Sequence, residues 1–239
     1  MCIRDSPETL REKARSLAQT LSWLPNTPSS NTFSEHSRAV KASFRTVFDA
    51  LGSPSAELRA SDDFRWLHDN ARLLYSDLQN TAEALKPLRK MPHVRIHDGE
   101  IIPRTLALAE EFLGAASYQF SEQAFRWFFE SVQESTVLNL SELWAMVPVL
   151  KLVLLEQIAL RSRRLFRDPG NRSHGVGVCL SSLRDTGQTD WKALIEPLIL
   201  FDQVLRRDPA GSYPRMDFDS RDLYLSLIHI CTRSRSRHE

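Results

Sequence analysis

Residues 138–167 read LNLSELWAMVPVLKLVLLEQIALRSRRLFR, and the reading of this stretch decides the fold. Asn139 and Glu142 have the spacing of a capping box, in which the first side chain takes an orphan helix amide and the second reaches back to the cap. From Leu140 to Leu160 apolar residues run almost all round the helical axis, the pattern of a helix buried on every side. Its longest unbroken apolar run, 143–150, ends at Lys151 and falls short of the roughly 18–20 residues of a membrane span. The stretch therefore predicts a central core helix near 140–166 and no transmembrane segment. Pro148 is expected to kink or split it, because proline lacks the amide that the helix ladder needs. Arg161, Arg163, Arg164 and Arg167 gather where the helix dipole is negative.

Working outward, helical periodicity recurs and strand signals are scarce. In 7–24, Leu10, Ala14, Leu17 and Leu21 repeat at spacings of three and four, and Pro7 suits a first helical turn. The string PNTPSSN (25–31) is a break rich in turn formers. A second helix follows over 32–52, with Thr32 and Glu35 at capping-box spacing and Val40, Phe44, Val47, Phe48 and Leu51 as its stripe. Gly52 is its stop. A third helix is read over 61–85 with Ser61 or Asp62 as cap, and 86–103 is read as irregular between prolines. Shorter helices are expected over 103–117 and 121–135, the latter capped by Ser121. Two more are expected around 176–185 and 190–208. The fold class is all-α, a bundle of about seven to nine helices.

The two ends stand apart from this pattern. MCIRDS (1–6) and LSLIHI (225–230) back-translate to opposite strands of one DNA segment resembling a transposon-end adapter used for sequencing libraries. Residues 1–6 and 225–239 are accordingly expected to be adapter-derived, leaving 7–224 as one helical N-terminal domain fragment with neither natural end. That piece has 27 basic and 28 acidic residues, a balance that gives no bulk attraction to nucleic acid. Only Cys179 remains of three cysteines, so no internal disulfide is expected.

Candidate chemistry is thin. His93 and His97 are four apart but sit in the irregular stretch with no third ligand, so they read as solvated loop histidines. HGVGV (174–178) lacks the rest of a phosphate-binding fingerprint and the strand before it. The pairs Asp62/Asp63 and Glu110/Glu111 fall at helix starts or polar faces, and the arginines of 161–167 on a solvated last turn. Trp144, beside Leu143 and Met146, reads as a core anchor more than a sugar platform. No catalytic residue, cofactor site or metal site is assigned from these residues.

Three segments carry a resemblance. DPAGSYPRMDFDSRDLY (208–224) resembles a D-P-A-G-x-Y-x-x-M-D-F-x-T/S-R-D-x-Y pattern through Asp208, Pro209, Ala210, Gly211, Tyr213, Met216, Asp217, Phe218, Arg221, Asp222 and Tyr224. WLHDNARLL resembles a W-L-x-D-N stretch through Trp66, Leu67, Asp69 and Asn70. LNLSELWA resembles an L-T-I-G-E-L-W-A stretch through Leu138, Leu140, Glu142, Leu143, Trp144 and Ala145. All three patterns belong to the cyclic β-1,2-glucan synthase family, and their order and approximate spacing agree. Ala71 stands where that family has a larger residue, and Asn139-Leu140-Ser141 where it has Thr-Ile-Gly.

The resemblance implies a membrane-bound parent at the bacterial inner membrane. In it this helical segment lies on the cytoplasmic side and partners downstream catalytic domains of the same polypeptide. The parent would use UDP-glucose and a divalent metal for glucosyl transfer to β-1,2-glucan, while this segment alone would be inactive. Two other readings stand beside it. One is a free-standing helical interaction module. The other is the N-terminal part of a hydrolase or phosphorylase sibling. The 208–224 stretch is expected to be a docking joint or a local helix-turn-helix joint.

Overall fold

The computed structural model describes residues 7–20, 22–24, 31–96, 99–170, 174–200, 212, 215, 216 and 220. Among them are ten α-helices and one small sheet. The helices are α1 (Pro7–Thr20), α2 (Thr32–Gly52), α3 (Ala56–Ala60), α4 (Asp62–Asp69), α5 (Ala71–Leu85), α6 (Arg104–Ala115), α7 (Glu122–Gln133), α8 (Leu140–Arg167), α9 (Val176–Gln188) and α10 (Trp191–Ile195). Ten exceeds the expected seven to nine. The short α3, capped by the Ser55 side chain on the Leu58 amide, is too brief to show periodicity. The expected helix over 61–85 is interrupted at Asn70, whose side-chain amide donates to the Trp66 carbonyl (2.8 Å). Of the last expected helix, 190–208, the described part holds the short α10 and a 3-10 turn, Glu196–Leu198, where Pro197 cannot supply a ladder amide; residues 201–208 lie outside the described residues.

The central helix is α8. Asn139 accepts from the Glu142 amide (2.9 Å), and Glu142 accepts from the Asn139 amide (3.0 Å), so the capping box forms as read. The helix runs on through Pro148 and is not split. Ala145, Met146, Val149 and Leu150 are buried on either side of the proline, and that packing holds the ladder where one amide is missing. By length and composition α8 does meet the criterion for a membrane span, with a mean hydropathy of 1.8 over its best 18-residue window. The run of apolar residues read from sequence stopped at Lys151, whose charge is met by Asp77 on α5 (2.8 Å). α8 nevertheless packs against α2, α5, α6 and α9, as a core helix does.

One contiguous core surrounds it. Its densest part is aromatic. Phe112 of α6 meets Phe125, Phe128 and Phe129 of α7 at centroid distances of 5.5–6.0 Å, and Phe120 and Trp191 close the cluster. Such pairs add about 0.5–1.5 kcal/mol each beyond the area they bury. α1 lies outside α8's ring of neighbours and packs on α7 and α6.

The stretch read as irregular contains a β-hairpin. β2 (His93–Arg95) pairs antiparallel with β3 (Ile101–Pro103) and with β1 (Ser22–Leu24), in the order β1-β2-β3. Gly99, at φ +86, takes the left-handed turn residue that only glycine adopts freely. Val94, Ile102 and Ala107 form a small satellite core there. Three-residue strands bounded by prolines carry too little alternation to be read from sequence. Two caps also differ from expectation. The cap position of α2 falls at Asn31, one residue before Thr32, and neither Asn31 nor Ser61 before α4 makes a side-chain capping bond.

Candidate functional site

The residues of the WLHDN stretch make a joint between α4 and α9. Asp63 is buried, and its carboxylate accepts from the backbone amides of His174 (2.6 Å) and Gly177 (3.2 Å). It thereby caps α9 from another helix and serves neither as a catalytic carboxylate nor as a solvated first-turn residue. A Cβ on Gly177 would lie 3.3 Å from the Trp66 indole, so the glycine lets that ring approach the backbone. Asn70 accepts from the Arg184 guanidinium (2.8 Å), which ties α4 to α9 a second time. Asp69 is exposed and has only a long 3.4 Å contact with His68. The glycines of HGVGV are thus packing and turn residues. Gly175 sits at φ +71, and its carbonyl accepts from Arg161 (2.7 Å).

Arg161 therefore does not belong to a solvated turn. Its guanidinium also lies 4.8 Å from the Tyr118 ring centroid, a cation–π geometry. Arg163 donates to Ser43 (2.8 Å). His93 is likewise not solvated. It is buried in the central strand, and its Nδ1 lies 2.8 Å from the Met91 carbonyl. Its expected companion, His97, lies outside the described residues.

Glu142 does more than cap α8. Arg104, the first residue of α6, donates through Nε to Glu142 Oε1 (2.6 Å) and through Nη2 to Glu142 Oε2, and both side chains are essentially fully buried. Arg104 also reaches the Val137 carbonyl (3.3 Å). Sequence reasoning did not single out Arg104, and it read Asp63, paired with Asp62, as a helix-start acid rather than a joint. The available signal for Arg104 was a charged residue opening an otherwise apolar helix; for Asp63 there was none beyond the glycine-rich start of α9. Trp144 is half-buried and packs against the main core. The motif residues thus serve two separate joints, α4–α9 and α6–α8.

Of the 208–222 motif, Asp208, Pro209, Gly211, Tyr213, Asp217, Phe218, Arg221 and Asp222 lie outside the described residues, while Met216 is half-buried.

Among the described residues the remaining perturbed titratable groups lie apart from one another or in helix contacts. His36 Nε2 lies 2.9 Å from Glu156 Oε2 across α2 and α8, and this hydrogen bond holds the imidazole pKa above its ordinary value. Glu110 of α6 is pushed up by partial desolvation and by the charge of Glu156. Cys179 is buried, which raises its thiol to about 11, opposite to what a nucleophile needs. Among the described residues no group of three or more His, Cys, Asp or Glu side chains could hold a metal ion. Two open clefts mark the surface. One, about 410 Å³, lies at the end of α2 over Phe64. The other, about 350 Å³, lies between the start of α7 and the end of α9.

No protein-family model matches the chain. Over 109 residues, 45% of its length, it is 28% identical to the cyclic beta-(1,2)-glucan synthase NdvB of Rhizobium meliloti (strain 1021). The matched stretch is 4% of that protein, so the chain spans only a small part of its relative's length. This weak similarity is to the same family as the motif resemblance and relates the chain to a region of a glucan synthase.

Proposed function

We propose that this chain is a non-catalytic helical segment of a cyclic β-1,2-glucan synthase-like enzyme. The observation that carries the reading is the 109-residue similarity to such a synthase, of which it covers 4%. The described buried charges sit in helix joints: Arg104 with Glu142 between α6 and α8, and Asp63 at the start of α9. The segment packs on, positions or regulates catalytic modules elsewhere in the polypeptide. Those modules bind UDP-glucose and a divalent metal, and the parent enzyme resides at the inner membrane with this segment on its cytoplasmic side.

The test has two arms. Sequencing the uninterrupted source gene should show the codons for 7–224 continuous with a glycosyltransferase module. A stop codon shortly after them would replace this reading with a free-standing module. The purified chain, given UDP-glucose and Mn²⁺, should transfer no glucose. Transfer abolished by a point substitution within the chain would overturn the non-catalytic assignment.

A further inference from the structure

Two polar bonds cross between α2 and α8. His36 Nε2 lies 2.9 Å from Glu156 Oε2, and Arg163 Nη2 donates to Ser43 Oγ (2.8 Å). Each pair is 120 residues apart in sequence. The two helices therefore run parallel in a single register, with the bonds two turns, or about 10 Å, apart along both. Between them Val40 and Phe44 of α2 are buried in the main core.

The two rungs differ in kind. Arginine keeps its charge and serine does not titrate in the physiological range, so the Arg163–Ser43 bond is indifferent to pH. Ser43 is also fixed by donating to the Ala39 carbonyl (3.1 Å). An imidazole changes charge near neutrality. A neutral ring can still donate to Glu156, but a bond from a charged donor is about twice as strong. His36 is only 19% exposed and Glu156 35%, so the pair is partly shielded from solvent.

The surrounding charges enlarge the difference. Glu110 of α6 and Glu100, just before β3, add their negative charge to that of Glu156. Among the described residues His36 is the cation that acts on Glu110. The charges of the other elements packed on α2 are engaged elsewhere or exposed. Asp77 of α5 takes Lys151, and Lys41 donates to Gln79 of α5 (2.9 Å). Arg89 and Lys90 of the 3-10 turn Leu88–Lys90 are exposed, as are Glu35 and Arg38 on α2 itself. When His36 loses its proton, the carboxylates around it lose the charge that offsets them. The start of α2 has little else of this kind to hold it: the Asn31 side chain makes no capping bond, and Phe33 and Ser37 are its buried residues before Val40.

We propose that the His36–Glu156 pair is a proton-operated latch, which holds the first two turns of α2 on α8 while the imidazole is charged and lets them loosen about the fixed Arg163–Ser43 rung when the proton leaves. The Glu156 bond holds the imidazole pKa above its ordinary value of 6.5. The latch is therefore closed at and below that value and opens as pH rises through the raised one.

The test is amide hydrogen exchange of the full chain from about pH 6 to 8.5, with each rate divided by that of an unstructured peptide at the same pH. Protection over 33–40 should fall by about tenfold, the equivalent of one pKa unit, while protection over 44–51 holds. NMR titration of the His36 ring should place its pKa above the ordinary value. Glu110→Gln, at an exposed position, should lower that pKa and carry the exchange step to lower pH with it. His36→Gln keeps a donor that does not titrate and should show no step. Protection over 33–40 that ignores pH would overturn the proposal, as would a step that survives in His36→Gln. An equal loss along the whole chain would also overturn it, since that marks global stability and not a latch.

Discussion

Arg104 and Glu142 face each other at the base of the bundle, two buried charges from α6 and α8 joined by two hydrogen bonds and shut off from water. Glu142 holds the Asn139 amide with the same carboxylate that it offers Arg104. One side chain thus starts the central helix and fixes where α6 begins.

Removing one partner leaves the other charge buried and unpaired. Arg104→Met should cost about 3–5 kcal/mol in urea unfolding. Adding Glu142→Gln to that variant should recover most of the loss, because the amide is neutral and still reaches the Asn139 amide. A double variant no more stable than Arg104→Met would show that shape, and not charge, sets the cost.

The α4–α9 joint makes a graded prediction about glycine. Gly175→Ala places a methyl group on a left-handed backbone and against the Arg161 guanidinium, so it should cost about 1–2 kcal/mol. Gly177→Ala meets only the Trp66 indole at 3.3 Å and should cost less than about 1 kcal/mol, with Trp66→Leu relieving most of it. Asp63→Ala, which strands two amides at the start of α9, should cost about 1–3 kcal/mol. Thermal melts would rank the three, and an order with Gly177→Ala worst would contradict the packing described.

His36 gives a pH signature. Its folded-state pKa is raised by the Glu156 hydrogen bond, with Glu110 and Glu100 adding negative charge nearby. The native state then binds the proton more tightly than the unfolded chain. The resulting stability is fully present below about pH 6.5, the ordinary histidine value, and is lost as pH rises through the raised pKa. Glu110, also raised, acts in the same direction between its unfolded and folded values. The difference in melting temperature between the native chain and His36→Gln should therefore be largest near about pH 5.5–6 and shrink by about pH 8–9. A difference that grows with pH would refute the pairing.

Cys179 should be inert in the folded protein. With its thiol raised to about 11 and buried against the core, iodoacetamide at about pH 8 should leave it unmodified until denaturant is added. Site-resolved mass spectrometry distinguishes it from the other two cysteines, and rapid native labelling would show that α9 opens.

How far the sequence reaches can be seen at α8. Its start was legible because the Asn139/Glu142 cap is local, and its buried character because the apolar residues leave no polar face. The partnership of Glu142 with Arg104 was not legible, since nothing local selects a partner 38 residues away. The same holds for Asp63, which looks like an ordinary first-turn acid until α9 folds back over it. The β-hairpin stayed hidden because each strand has three residues, too few for a period of two to register. Ser121 was read as a helix cap, and its side chain does accept from the Ala124 amide, a relation that is local in sequence.

The position of α1 has a consequence for how the chain is made. This first helix docks on α7 and α6, and its Arg15 pairs with Glu134, 119 residues further on. At about 5–20 residues per second, a ribosome leaves the apolar stripe of Leu10 and Ala14 without its mate for on the order of ten seconds. During that interval the only cover for the stripe is whatever else in the cell will bind it. α1 thus leaves the ribosome before α6 and α7 and reaches its place only after both have been made. Placing α1 after α7 by circular permutation of this segment should shorten that exposure.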